Sequence, residues 1–352
     1  MQKSIIRIGL ALAGCILLAA GCIQRSGLEP GGTPIGFSAG SAMLRDDDTK
    51  SGTLKTGPQF DPGDRISVYG WHAGPQQLVF DDQLVECGAS GQWTYSPVRA
   101  WEWQGAGDSY DFLAIHRYQT ADPHPSAVVS PRLIVSQPYN VSDNYDLMMA
   151  GVHRSYGEDS RNRAVPLNFQ HMCSAIRILV YNDSEETDFT LNAFAFKNIA
   201  SQATARAQIS DGDVSFGWTG AQRVAETEVG GVSAIGQTLA HGSAAPGYTS
   251  PYGLMIPMRL DEELGYGTGH WPSLVLRFTK AGDSVEEERE VNLKDIFRLG
   301  ANEEETQVPL IQWERGSVYT YKIHVRLDGG IVVHVETTDW DVVEAETPGL
   351  LI

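Results

Sequence analysis

The residue best placed to undergo chemistry is Cys22, a thiol closing the run Leu18-Ala19-Ala20-Gly21-Cys22. Small residues ahead of a cysteine, behind a short apolar stretch, form the pattern that a lipoprotein signal peptidase cuts before a lipid-modified cysteine. The preceding residues fit, with Lys3 and Arg7 as the positive start and Ile8 to Ala20 as the apolar stretch. About 13 apolar residues cover roughly 20 Å as a helix, short of the ~30 Å hydrocarbon core, so residues 1–21 are a leader and not a span. The mature chain then starts at Cys22 as an exported protein. Several acyl chains on that residue hold it stably to a bilayer, where a single chain does not.

Other reactive groupings are sparse. The sequence has no G-x-S-x-G elbow, no H-E-x-x-H and no G-x-x-x-x-G-K-[ST] phosphate cradle. Glu102 and Asp108 could be nominated as an acid and base, but among 44 acidic residues such pairs arise by chance. Cys87 and Cys173 are compatible with one disulfide in an oxidising compartment, and equally with two buried small apolar side chains. His324 and His334 would face each other across a terminal hairpin, one edge of a metal site with no third ligand. No catalytic residue, cofactor or metal is therefore expected. Loss of Lys3 and Arg7 with the leader takes the net charge from −18 to −20, which disfavours nucleic acid as a partner.

The aromatic residues are more suggestive. Trp71, Trp93, Trp101 and Trp103, with Tyr69, Tyr95 and Tyr110, fall within some forty positions. Exposed rings of this kind stack on the apolar faces of sugars, which makes a glycan platform one alternative. Filling a sandwich core is the other.

The elements that position these residues are strands. Short period-two alternations recur at Arg65 to Trp71, Asp108 to Tyr118, Ser174 to Tyr181, Thr187 to Phe196, Ser273 to Thr279, Ser317 to Leu327 and Ile331 to Thr338, and 37 glycines and 17 prolines supply the turns. Only Val291 to Glu305 could hold a short helix. The chain reads as all-β, of the sandwich type. In the last hairpin Tyr319, Tyr321, Ile323, Val325 and Leu327 share a face with Ile331, Val333 and Val335, turning at Asp328-Gly329-Gly330. The mature length exceeds one usual core, so two domains are expected, residues 22–162 and 163–352, divided in the charged stretch Gly157 to Arg163.

Several blocks carry a resemblance. Phe60-Asp61-Pro62-Gly63-Asp64-Arg65-Ile66-Ser67-Val68-Tyr69-Gly70-Trp71, then Trp93-Thr94-Tyr95-Ser96-Pro97, Tyr110 to Ile115, Val165 to His171 and the closing Asp339-Trp340 resemble the sequence blocks of the fimbrillin family, the type V pilin lipoproteins of Bacteroidales. The resemblance implies two transthyretin-like β-sandwich domains in tandem, lipid anchoring in the outer membrane with exposure on the cell surface, and service as a stalk, tip or accessory subunit of a fimbria. Its partners would be other pilus subunits and ligands on host or bacterial surfaces. It also implies that an arginine-specific protease removes the first strand, whose place a strand of another subunit takes. On this chain the candidate first strand is Thr33 to Ser38, with Ile35 and Phe37 on one face, an irregular linker being the alternative, and Arg45 is the expected cleavage site. After Trp340 only Asp341 to Ile352 are left to donate a strand, and Pro348-Gly349 interrupts them.

Overall fold

The computed structural model describes residues 33–41, 60–74, 77–117, 128–130, 132–157, 164–223, 228–263, 269–299, 305–327 and 330–340. Cys22, Arg45 and the tail 341–352 lie outside the described residues. The described chain is built of strands, as its alternation requires, with no α-helix and two single 3-10 turns, Val141–Asp143 and Leu293–Asp295. In chain order the strands are β1 Phe37–Ser41, β2 Arg65–His72, β3 Gln77–Cys87, β4 Trp93–Thr94, β5 Ser109–Arg117, β6 Val128–Ser130, β7 Leu133–Val135, β8 Tyr139–Asn140, β9 Met148–Ser155, β10 Val165–His171, β11 Ser174–Asn182, β12 Phe189–Lys197 and β13 Ala200–Ser210. They continue as β14 Asp213–Arg223, β15 Glu228–Val232, β16 Gln237–Leu239, β17 Tyr248–Thr249, β18 Gly253–Met255, β19 Met258–Arg259, β20 Ser273–Lys280, β21 Glu287–Asn292, β22 Phe297–Leu299, β23 Glu305–Pro309, β24 Gln312–Trp313, β25 Ser317–Arg326 and β26 Gly330–Asp339.

Four sheets carry the architecture, with strand orders β1-β10-β9-β5-β2-β3-β4, β17-β11-β25-β26-β22-β23, β15-β12-β20-β21 and β14-β13-β7-β6. The first sheet is buried on both faces. Ile66, Val68, Phe80, Phe112, Ala114 and Leu167 form one apolar cluster with Phe60 and Trp101. Tyr69, Trp71, Leu113, Ile115 and Met149 point the other way and join a second, larger cluster that runs through Ala203, Ala205 and Ala207 of β13 to Tyr319 and Tyr321 of β25. Burial on two sides explains why β2 and β5 read as nearly continuous apolar runs, whereas β10 and β25 alternate. Gly70 is required at the centre of β2, because a Cβ there would stand 2.8 Å from the Phe80 ring and 2.9 Å from that of Phe112.

β10, which starts at Val165, pairs antiparallel with β9 and parallel with β1, so the first sheet runs on to His171. Likewise β7 and β8, from before position 163, pair with β13, from after it. Where a short helix could have formed, Val291 to Leu299 are instead the end of β21, one 3-10 turn and β22, because Leu293 and Ile296 turn into the core.

The final hairpin forms with the expected face inward, Tyr321, Ile323, Val325 and Val335 being fully buried. Its register differs. Arg326 faces Gly330, which puts His324 opposite Val332 and His334 opposite Lys322. Starting a three-residue loop one position earlier shifts every cross-strand partner by two and leaves the faces unchanged. The two imidazoles are thus diagonal neighbours, 6.2 Å between centroids, and His324 Nδ1 bonds the Asp183 carboxylate at 3.1 Å. Cys87 and Cys173 are not bonded to each other; both are buried, each in a different apolar cluster.

Candidate functional site

Residues 33–41 run in an extended line along the margin of the first sheet. On one side β1 pairs parallel with β10, Phe37 beside Val165 through Ser41 beside Phe169, and the Val165 amide donates to the Gly36 carbonyl at 2.7 Å. On the other side an antiparallel bridge joins Pro34 to Ala100, with the Ile35 amide donating to the Arg99 carbonyl and the Trp101 amide to the Thr33 carbonyl, both at 2.9 Å. The segment therefore fills a slot between β10 and the 95–101 loop.

Period-two alternation does the rest. Ile35 and Phe37 are 1% and 5% exposed, and Ala39 follows on the same face, packed against the cluster of the first sheet. The Phe37 ring lies edge-on to Phe80, Tyr95 and Phe112, at centroid separations of 5.4, 5.6 and 5.9 Å. Thr33, Pro34 and Ser38 face outward. The Tyr95 hydroxyl donates to the Ile35 carbonyl at 2.6 Å, and burial pushes its pKa up to about 12, so it stays a proton donor under ordinary conditions. Without this segment the slot would present unpaired backbone groups of β10, Arg99 and Trp101 above an apolar floor of Phe80, Phe112 and Leu167.

The other singled-out residues are placed as follows. Ile35 and Phe37 are both buried, and the regular ladder covers Phe37–Ser41 and not Thr33 to Ser38. The four tryptophans do not form one exposed platform. Trp71, 3% exposed, belongs to the cluster on one face of the first sheet, and Trp101, 7% exposed, to that on the other, with Trp93 and Trp103 packed beside Trp101. Alternation along β2 sends Trp71 to the opposite side, and Trp101 and Trp103 stack on each other at 5.1 Å, covering the faces a sugar would need. Glu102 and Asp108 are not an acid and base pair, since the Asp108 carboxylate is held by His72 Nε2 at 2.6 Å.

That contact belongs to a set the sequence did not reveal. His72 with Asp108, His153 with Asp111 at 2.6 Å and His171 with Asp146 at 2.9 Å are pairs whose carboxylates are buried in the sheet interior. Partners 36, 42 and 25 positions apart have no local spacing to betray them. The Ser155 hydroxyl lies 3.3 Å from His153 Nε2, and the His153–Asp111 pair joins β9 to β5. Burial opposes the Asp108 charge, but the Gln104 and Ser109 amides at 2.8 and 2.9 Å, together with His72, outweigh it and hold the carboxyl below its usual range. A depressed folded-state pKa contributes stability that is complete above the unfolded value near 3.8 and is lost as pH falls through the lower folded value. Asp108→Asn should accordingly flatten the loss of thermal stability on acidification below about pH 4, measured by melting across that range.

A cavity of about 630 Å³ lies between β11 and β18 on one side and β12 and β15 on the other. Its polar lining is internally engaged: Arg277 pairs with Glu228 and Glu288, and the Asn144 side chain accepts from the Leu254 amide. Among the described residues no three His, Cys, Asp or Glu side chains are grouped to hold a metal ion.

A sequence model of a family described as fimbrillin-like matches residues 53–340. Among solved structures, a fimbrial protein from Bacteroides vulgatus is similar with a TM-score of 0.52 at 15% identity, over 87% of this chain and 99% of that one. A fimbrilin from Porphyromonas gingivalis gives 0.45 at 8% identity, covering 87% and 99%, and a fimbrial assembly protein from Parabacteroides distasonis 0.41 at 10%, covering 87% and 98%. No curated protein sequence matches. At these identities the likeness concerns the fold, and it agrees with the all-β architecture.

Proposed function

Because the chain belongs to the fimbrillin-like family, we propose that it is a structural or adhesive subunit of a type V pilus, exported as a lipoprotein through Cys22 and assembled by strand addition. The observation that carries this is the segment 33–41, which fills a ready-made slot with alternate side chains and main-chain hydrogen bonds. A strand held in this way can be replaced by another of the same pattern, since the backbone bonds are independent of sequence and the apolar floor asks only for alternation.

Removing the segment requires a cut between it and Phe60, where the described chain resumes. Arg45 lies in that interval and suits an arginine-specific protease. Until the cut, the segment occupies the slot and keeps the subunit from associating. The partners are other pilus subunits, with the outer membrane reached through the lipid on Cys22 and surface ligands on host or bacterial cells reached from the fimbrium. The role is structural and no catalytic step is assigned to it.

Digestion of the full chain with an arginine-specific protease should give one main cut after Arg45, release residues up to that point, and produce higher oligomers by light scattering. A chain that is cut there and stays monomeric would count against strand addition. Resistance to the protease would count against Arg45.

A further inference from the structure

Of the three histidines that meet buried carboxylates, two are closed in by aromatic rings. His72 stacks on Tyr110 at 4.3 Å and His171 on Trp340 at 3.9 Å, and both imidazoles are buried. His153 is different. Its side chain is 31% exposed, its Nδ1 lies 2.6 Å from Asp111 Oδ1, and its Nε2 lies 3.3 Å from the Ser155 hydroxyl. A hydroxyl, an imidazole and a buried carboxylate joined in this order are the parts of a nucleophile activated by a base that a third group orients.

Parity and register build this order. His153 and Ser155 are two apart on β9 and share a face, and Asp111 on β5 stands directly across from His153 in the antiparallel ladder. The Asp111 side chain is 1% exposed and is held from its other oxygen, where Arg132 Nε donates to Oδ2 at 2.8 Å. A carboxylate on Nδ1 keeps the proton of a neutral ring at that nitrogen, which leaves the Nε2 lone pair for Ser155. The turn between β13 and β14 runs beside the ring: Gly212 has a φ of +87°, and a Cβ there would stand 3.5 Å from His153 Cδ2. Ser155 ends β9 and is exposed, so a molecule from solvent can reach its hydroxyl.

We propose that Ser155 is an activated nucleophile and that this face of the first sheet hydrolyses small neutral esters, an activity separate from the structural role. In the first step Ser155 Oγ bonds to the ester carbonyl carbon, its proton passes to His153 Nε2, and the bond to the alkoxy oxygen breaks as that oxygen takes the proton and leaves as the alcohol. In the second, water gives a proton to the same nitrogen as its oxygen bonds to the acyl carbon, the bond to Oγ breaks, and the proton returns to Oγ while the carboxylic acid departs. Asp111 is a positioning residue, and Arg132 holds Asp111 in turn. Exposed Asp211 and Asp213 flank Gly212 and, with the net charge of −18, oppose an anionic substrate, so the ester is uncharged. The three groups include no donor to the developing oxyanion. Turnover therefore rests on proton transfer, which contributes about 10²–10⁴-fold.

The purified full chain should react with a fluorophosphonate, which loses fluoride to become bonded to Ser155 Oγ, and should hydrolyse para-nitrophenyl acetate. Peptide mass spectrometry should place the label on Ser155. Ser155→Ala should abolish labelling and turnover with melting unchanged, because the hydroxyl is exposed, and His153→Gln should slow both at least about hundredfold. Asp111→Asn should slow labelling without lowering its final extent, whereas a misfolded fraction would lower the extent. A chain that is not labelled or turns over no ester, a label on another residue, or labelling of Ser155 at an undiminished rate in His153→Gln or in the urea-unfolded chain would overturn the proposal.

Discussion

Phe37→Ala should loosen the amino-terminal segment while the rest of the first sheet stays folded. The phenyl ring is almost fully buried against Phe80, Tyr95 and Phe112, and truncation to alanine at such a site costs about 3–5 kcal/mol. The measured loss has a ceiling, however. Once the residual contacts of Ile35, Ala39 and the flanking backbone bonds no longer hold the segment, it detaches locally and further damage is not registered by the body of the sheet. Hydrogen exchange should therefore show amides of residues 35–41 and of β10 becoming unprotected while those of β2 and β5 remain slow. Uniform loss of protection across the first sheet would mean that the segment is an integral member of the core and not a separable strand. The same variant should be cut faster by an arginine-specific protease, because local opening exposes the following chain.

His171→Leu should be among the most destabilising single substitutions in the protein. Its Nδ1 lies 2.9 Å from the Asp146 carboxylate, both side chains are at most 1% exposed, and the ring stacks on Trp340 at 3.9 Å. Removing the imidazole leaves a carboxylate buried without its partner, and breaking such a pair costs about 3–5 kcal/mol. Adding Asp146→Leu should restore a large part of that loss, because two apolar side chains bury no uncompensated charge. Chemical denaturation of the two singles and the double variant measures this directly. Simple additivity of the two losses would show that packing on Trp340, and not the pair, carries the effect. The position matters for assembly too: His171 ends β10, the strand against which residues 37–41 lie, and Trp340 directly follows β26, so this stack ties the slot to the last described residue of the chain.

The sandwich class was legible because alternation is a local property. Throughout β10, and in β11 and β25 beyond their first two residues, buried positions alternate with more exposed ones, so the buried face can be read two positions at a time. The alternation of Ile35 and Phe37 was legible for the same reason, and it identified the residues that fill the slot. Strand partners were not legible. Phe37 lies beside Val165, and Leu133 beside Gln208, across separations at which no local pattern speaks. A charged stretch such as Gly157 to Arg163 likewise does not say which sheet the next strand joins.

The amino-acid order by itself determined that this protein is built of alternating strands and that Ile35 and Phe37 share a face. It did so because side-chain direction in a strand depends only on parity along the chain. Only the tertiary structure decided that Trp71 and Trp101 are buried on opposite faces of the first sheet and that three histidines meet buried carboxylates. Those outcomes depend on which distant strands become neighbours, and that is settled by the packing of whole sheets against one another, in which every residue's surroundings come from parts of the chain it cannot register locally.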